Sequence, residues 1–378
     1  MTLTVPTRTD HLAEVLTALH PPPYAFSGDG PVAAEYRVLP YQRRPRLLVP
    51  ARLAAAGVRS ATARTPLTRL AAAALSLPGA ARLLPTVRVY GDPAADSFAT
   101  HLGTVLDARR SGLAGRPPEL AILVGGPARA NRKPVVAALD PQGDPLCFAK
   151  LGTGPLTRAL VRNERAALRT LVGAGLRYTQ VPTLLSGGAW RDHEVIVQSA
   201  LPTWRGSTPG PDLLTRAMCE VARACGSSRG RLGDGTYWWG LQSRVMLADD
   251  HRLSAAAERL QDTAGDLQLE YGAWHGDWTP WNTRHLDGRV LVWDWERFAV
   301  GVPLGFDALH YALARQAPVS GHLLAPLARD LLAPFGVPPA AAEATASLYL
   351  IEIATRYLID GQRTAAARTV TDMLGDLS

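Results

Sequence analysis

From residue 119 onward the apolar and polar positions fall into regular segments. Residues 120–124 form an apolar run of strand length, and the run Gly125-Gly126-Pro127-Ala128-Arg129-Ala130-Asn131 reads as a loop. Residues 134–139 predict a second strand. Asp140-Pro141-Gln142-Gly143-Asp144 places Pro and Gly where a turn wants them, and 146–151 predict a third strand. Helical spacing covers 157–172 and ends at Gly173 and Gly175. Strands are predicted at 183–186 and 194–198. Past Leu201-Pro202, helical patterns lie near 211–224, 253–268, 303–314, 319–333 and 340–359, with loops at 206–211 and 226–235 and an apolar run at 290–293. No internal repeat is present. A small sheet with one helix, followed by a mainly helical half, makes the class α+β.

The first 115 residues are less patterned. They hold Pro21-Pro22-Pro23, a predicted strand at 46–49 and alanine-rich helical stretches near 52–58 and 66–77, and Arg116-Pro117-Pro118 reads as a boundary. Three regions follow: 1–115, an extra N-terminal region without an assignable role; 116–201, a sheet-bearing lobe; and 202–378, a helical lobe.

Composition narrows the function classes. With 378 residues, 47% hydrophobic and 19% charged, the chain can bury a large core. No apolar run reaches the roughly 18 residues of a membrane helix. The N-terminus lacks the charged-then-apolar pattern of a secretory leader, so a cytoplasmic location is expected. Cys147, Cys219 and Cys225 form no disulfide or zinc pattern. The formal charge is +7, but the arginines are scattered apart from Arg43-Arg44-Pro45-Arg46 and do not alternate with aromatics, so neither a nucleic acid nor a membrane is expected as a partner. Only two lysines, Lys133 and Lys150, stand beside 38 arginines, and only three asparagines occur, Asn131, Asn163 and Asn282. In an Ala-, Arg-, Gly- and Pro-rich chain, residues this rare mark positions where their chemistry is required.

One segment carries the chemistry. His275-Gly276-Asp277-Trp278-Thr279-Pro280-Trp281-Asn282 is followed twelve residues later by Asp294 in Val290-Leu291-Val292-Trp293-Asp294-Trp295-Glu296. A carboxylate that orients an attacking hydroxyl, then an amide oxygen and a second carboxylate for Mg²⁺, are what phosphoryl transfer needs. H-x-D-x-x-x-x-N before a strand ending in Asp resembles the catalytic loop and metal strand of the aminoglycoside phosphotransferase and choline kinase superfamily. The resemblance covers about 119–360.

It implies a two-lobed protein-kinase-like fold. Asp277 becomes the catalytic base, Asn282 and Asp294 the Mg²⁺ ligands, and His275 and Asp307 braces of the loop. Lys150, ending the third strand, would meet nucleotide phosphates, with Glu164, fourteen residues on, as its orienting partner. Gly125 and Gly126 would let backbone approach phosphate, with Asn131 closing that loop. Gln198 and Ala200 fall where a hinge backbone would bond adenine. The His-Gly-Asp form and the eight residues between Asp294 and Pro303 leave no room for a long activation loop, which points to a small-molecule hydroxyl acceptor and to direct transfer from ATP or GTP.

Glu296, and the shared helical face of Glu352, Arg356, Tyr357 and Asp360, are candidates for the acceptor side; that face could equally be surface. Of the five tryptophans between 274 and 295, most are expected to pack the loop. Gly152-Thr153-Gly154 lacks the spacing of a dinucleotide site, and no P-loop sequence occurs. Two other classes stay open on the residues alone: a non-catalytic nucleotide-binding scaffold on a kinase-like fold, and a hydrolytic metal centre built on His275, Asp277 and Asp294. The acceptor and the oligomeric state are not legible.

Overall fold

A computed structural model describes residues 8–40, 45–62, 66–77, 79–107, 113, 116–124, 130–315 and 324–362. The chain forms two compact units, Met1–Arg162 with Thr183–Trp204, and Asn163–Pro182 with Arg205–Ser378.

The first unit is built on one antiparallel sheet of eight strands. Along the chain run α1 (Arg8–Leu19), β1 (Val32–Leu39), β2 (Leu47–Pro50), α2 (Ala54–Thr62), α3 (Pro66–Leu75), β3 (Thr86–Tyr90), α4 (Phe98–Asp107), β4 (Glu119–Leu123), β5 (Val135–Leu139), β6 (Pro145–Gly152) and the start of α5 (Pro155–Leu171). After β7 (Thr179–Gln180), which belongs to the second unit, β8 (Leu184–Trp190) and β9 (His193–Ser199) complete it. The order is β3-β1-β2-β4-β5-β6-β9-β8.

Both faces are buried, which is why the central strands read as continuous apolar runs instead of alternating ones. Leu48, Leu120, Ile122, Val136 and Ala138 pack with α1 and α4, through residues such as Val15, Leu19, Phe98 and Leu102. The alternate positions Leu47, Val49, Ala121, Ala137 and Leu139 pack with Ala54, Val58 and Ala72 of α2 and α3. This second face uses small residues because the helix lies close: a Cβ on Gly57 would stand 2.8 Å from Val49 Cγ1.

The N-terminal region is therefore no separate addition. Leu47 and Leu48 pair with Leu123 and Ile122, joining β1 to β3 to the same sheet as β4 to β6, so the units do not divide at 115 or at 201. The order of three strands, a helix and two strands expected from residue 119 is present as β4, β5, β6, α5, β8 and β9.

The second unit holds α6 (Pro211–Arg223), β10 (Ser228–Arg231), α7 (Thr236–Ala248), α8 (His251–Ala264), β11 (Gln268–Trp274), β12 (Thr283–Leu286), β13 (Arg289–Val292), β14 (Ala299–Pro303), α9 (Phe306–Arg315), α10 (Leu324–Leu332) and α11 (Pro339–Ile359). Two three-stranded sheets, β10-β11-β14 and β12-β13-β7, sit among these helices. The core gathers Trp238, Leu241 and Val245 with Leu253, Phe306, Leu309, Tyr349 and Ile353. Two departures from the sequence reading stand out. The stretch 226–235, expected as a loop, contains β10, and α7 was not expected at all. On α7 apolar residues occupy both sides: Trp238, Leu241 and Val245 are buried while Trp239, Met246 and Leu247 are exposed, which erases the amphipathic signal. Among the described residues no helix is long and apolar enough to cross a membrane.

Candidate functional site

Strand β11 delivers the chain to His275, and the loop that follows is tied at almost every residue. Gly276 has φ +82°, and a Cβ there would stand 2.3 Å from the carbonyl oxygen of Arg297, so no other residue fits. The carboxylate of Asp307 accepts the backbone N–H groups of His275 (2.7 Å) and Gly276 (3.1 Å). Burial pushes the Asp307 carboxyl up to about 7, against the pull of those two N–H groups. His275 Nδ1 accepts the N–H of Asp277 (3.1 Å), so Nε2 carries the proton and donates to Trp293 O (3.0 Å). Burial holds this imidazole down to about 4 and keeps it neutral at pH 7. Trp278 and Trp295 pack edge-on to it, at 5.8 and 4.5 Å between ring centres. His275 and Asp307 thus occupy the bracing positions the resemblance implies.

Asp277 lies within this frame with its side chain 32% exposed. Asn282 Nδ2 donates to its Oδ2 and to its carbonyl oxygen, each at 3.0 Å. His310 Nε2 meets Oδ1 at 3.1 Å. Burial is the largest single influence on the Asp277 carboxyl and would raise it, but the hydrogen bond from His310, together with nearby positive charge, holds the group below its ordinary value. Arg356 donates to Gly276 O and lies over the ring of Trp274. Both bonds of Asn282 use Nδ2, so its amide oxygen is the atom available to a cation.

The hairpin of β12 and β13 turns on Asp287-Gly288, with φ +49° and +75°, the Asp-Gly pattern of a tight hairpin. It leads to Asp294, itself left-handed at φ +71°, which starts the single 3-10 turn Trp295–Arg297. Asn163 Nδ2 donates to Glu296 O (2.8 Å) and Phe298 O (2.9 Å) and so fastens α5 to this turn. Carboxylate oxygens of Glu164, Asp294 and Glu296 then lie within 4.8 Å of one another. Oxygen-only donors of this kind suit Mg²⁺ or another hard divalent cation. The absence of histidine from the set speaks against the hydrolytic-centre reading, because His275 is committed to two backbone groups.

The remaining expected residues belong to the first unit. Lys150 is buried in β6, opposite Val135 of β5 and Ile196 of β9. Gln198 is buried in β9 opposite Phe148, Ala200 follows the strand, and Asn131 is half-buried in a turn. Gly125 and Gly126 lie outside the described residues. Within its own unit Glu164 lies beside Asp294 and Glu296, and its expected partner Lys150 is in the other unit.

Of the face expected on the acceptor side, the two acids are closed off, while Arg356 and Tyr357 are half-buried. Glu352 is buried and accepts Arg244 Nη1 and Nη2 (3.0 and 2.7 Å) and Tyr237 Oη (2.8 Å). Asp360 is buried against Arg297. Trp278 and Trp295 are fully buried and Trp274 nearly so, as expected for packing residues, while Trp281 is exposed.

Three residues of the site went unassigned from sequence. Asn163 carried a signal in its rarity. His310 and Tyr349 carried none, since each reads as an ordinary member of an apolar helix.

No protein-family model matches the chain, and no curated protein matches it in sequence. Solved structures similar in shape include aminoglycoside phosphotransferase APH(4)-Ia, as a thermostable mutant with AMP-PNP and hygromycin B (TM-score 0.47, 14% identity, 73% of this chain and 97% of that one). Others are aminoglycoside 2′-phosphotransferase-IIIa with GDP (TM-score 0.46, 12% identity, 74% and 99%) and amicoumacin kinase hAmiN with AMP-PNP, Ca²⁺ and amicoumacin (TM-score 0.43, 12% identity, 65% and 86%).

Proposed function

We propose that this protein is a Mg²⁺-dependent phosphotransferase on a protein-kinase-like scaffold, which moves the γ-phosphate of ATP or GTP to a hydroxyl of a small molecule in the cytoplasm. One observation carries the reading. Asp277 is a partly exposed carboxylate with a donor on each oxygen, in the same unit as the oxygen-donor set of Glu164, Asp294 and Glu296. In this reading the acceptor oxygen attacks the γ-phosphorus, the bond from that phosphorus to the bridging oxygen breaks, and Asp277 takes the hydroxyl proton. Asn282 and Asp294 hold the metal, aided by Glu164 and Glu296. Bound there, Mg²⁺ supplies positive charge against the phosphate oxygens. Lys150 supplies a second cation for the nucleotide phosphates, and the backbone around Gln198 and Ala200 bonds the base. Asn131 takes the phosphate-side role that the resemblance implies.

The two acids expected on the acceptor side, Glu352 on α11 and Asp360 just after it, are already matched by Arg244 and Arg297. This favours a sugar or another neutral hydroxyl compound over an aminoglycoside-like polycation.

The test is nucleoside-diphosphate release with Mg²⁺ and ATP or GTP against a panel of hydroxyl acceptors, neutral and cationic. Asp277→Asn should lower acceptor-dependent turnover by on the order of 10²–10⁴-fold and leave nucleotide binding in calorimetry intact. Undiminished turnover in that variant sinks the assignment.

A further inference from the structure

The catalytic carboxylate of this reading is reached by a chain of side chains that starts in the core of the second unit. Tyr349, fully buried on α11, has its hydroxyl 2.8 Å from His310 Nδ1. The two rings meet edge-on, 6.1 Å apart at 78°. His310, buried on α9, has Nε2 3.1 Å from Asp277 Oδ1. Both ring nitrogens therefore have assigned partners, and the partners decide the tautomer. An ionised Asp277 only accepts, so Nε2 must carry the proton. Nδ1 is then the acceptor and Tyr349 the donor. Burial keeps the Tyr349 hydroxyl protonated and His310 neutral, consistent with that arrangement.

A carboxylate with one donor can still turn about its Cβ–Cγ bond. With Asn282 on Oδ2 and His310 on Oδ1, the carboxylate plane is set from both sides, and each oxygen keeps a lone pair for the exposed edge. Helix α11 reaches the loop by a second route seven residues on from Tyr349, where Arg356 bonds Gly276 O. Residues seven apart share a helix face, so one face of α11 supports both the backbone and the side chain of the catalytic segment.

We propose that His310, locked as the Nε2–H tautomer by the Tyr349 hydroxyl, is the positioning residue that orients Asp277 toward the acceptor hydroxyl. The role rests on the phosphotransferase reading, but the tautomer does not, so the two are tested separately. In the full chain, ¹⁵N-resolved histidine spectra should show His310 as the Nε2–H form, and Tyr349→Phe should shift its Nδ1 resonance. An Nδ1–H form for His310 overturns the proposal. In steady-state assays His310→Phe should lower kcat by roughly 10- to 100-fold, the range for a misplaced reacting group, with KM for both substrates within about twofold. His310→Gln, whose side-chain amide can still donate, should recover part of that loss, and Tyr349→Phe should cost less than His310→Phe. A His310→Phe protein that melts and binds nucleotide as the parent does, yet keeps its kcat, also overturns the proposal. If the parent protein turns over no acceptor in the panel, the phosphotransferase reading fails instead, and the spectra alone decide the tautomer.

Discussion

The two units are held together by different means. In the first, a sheet is sandwiched between helices, and its centre is almost wholly apolar: Leu48, Ile122, Val136 and Ala138 on one face, Val49, Ala121 and Ala137 on the other. In the second, a comparable apolar core lies beside a lattice of buried polar groups that includes Glu164, Asp307, His310, Glu352 and Asp360. Burying a carboxylate is costly unless it is paired or hydrogen-bonded. Asp307 meets two backbone N–H groups, Glu352 an arginine and a tyrosine, and Asp360 an arginine. Apolar packing specifies volume and tolerates adjustment. A paired polar lattice specifies where individual atoms stand. The unit that places Asp277, Asn282 and Asp294 is the one built the second way.

The contrast can be broken at several points. The largest effect is expected at Gly276→Ala, where a Cβ would overlap Arg297 O and the backbone is left-handed. Strain and overpacking together should cost on the order of 4 kcal/mol and abolish turnover, as read by denaturant unfolding and assay; a loss below about 1 kcal/mol would mean that the loop is far looser than described.

Next, Ile122→Ala in the apolar unit removes a fully buried side chain and should cost roughly 3 kcal/mol. A loss that small packing shifts could absorb, under about 1 kcal/mol, would remove the contrast from the other side.

Third, Arg244→Ala leaves Glu352 buried with Tyr237 alone. About 2 kcal/mol is expected, below the range for a fully buried pair because Arg244 is 42% exposed. Adding Glu352→Gln should restore much of it. If Arg244→Ala is silent, pairing does not hold this unit.

The smallest effect is the response to acid. His20 in the first unit is held down to about 4 by burial, and burial also lowers His11, His101 and His193 there. A histidine whose folded pKa lies below its unfolded value contributes stability that is present above about 6.5 and is lost as pH falls toward 4. The loss is about 1.4 kcal/mol per pH unit for each fully shifted group. In the second unit His275 and His310, both lowered by burial, act the same way. Asp307, raised to about 7, acts oppositely, since its contribution grows as pH drops below 7. Glu119, raised by burial, offsets only part of the loss in the first unit. Hydrogen exchange between pH 7 and 5 should therefore show protection falling more in β4 and β5 than in β11 and α11. Equal losses would refute the difference.

Legibility in the sequence follows the same divide. The strands at 120–124, 134–139 and 146–151 were readable because a sheet buried on both faces writes itself as apolar runs bounded by turns. The candidate site residues stood out because His275, Asp277, Asn282 and Asp294 keep a fixed local spacing. Helix α7 was hidden because its apolar residues lie on both sides. Strand β1 was hidden because most of it is only partly buried.

Local sequence thus sufficed for the α+β class and the order of β4, β5, β6, α5, β8 and β9, and it singled out the loop 275–282 as the candidate site. Folding alone settled that residues before 115 join the same sheet, through the pairing of Leu47 and Leu48 with β4. It settled that Asn163 fastens the turn after Asp294, and that His310 joins the loop neighbour Asn282 in holding Asp277. It also closed Glu352 and Asp360 against arginines, Glu352 against one more than a hundred residues distant. Periodicity and motif spacing record contacts within a few residues. Hydrogen bonds and ion pairs between distant segments leave no periodic trace, so their partners become visible only once the chain has folded.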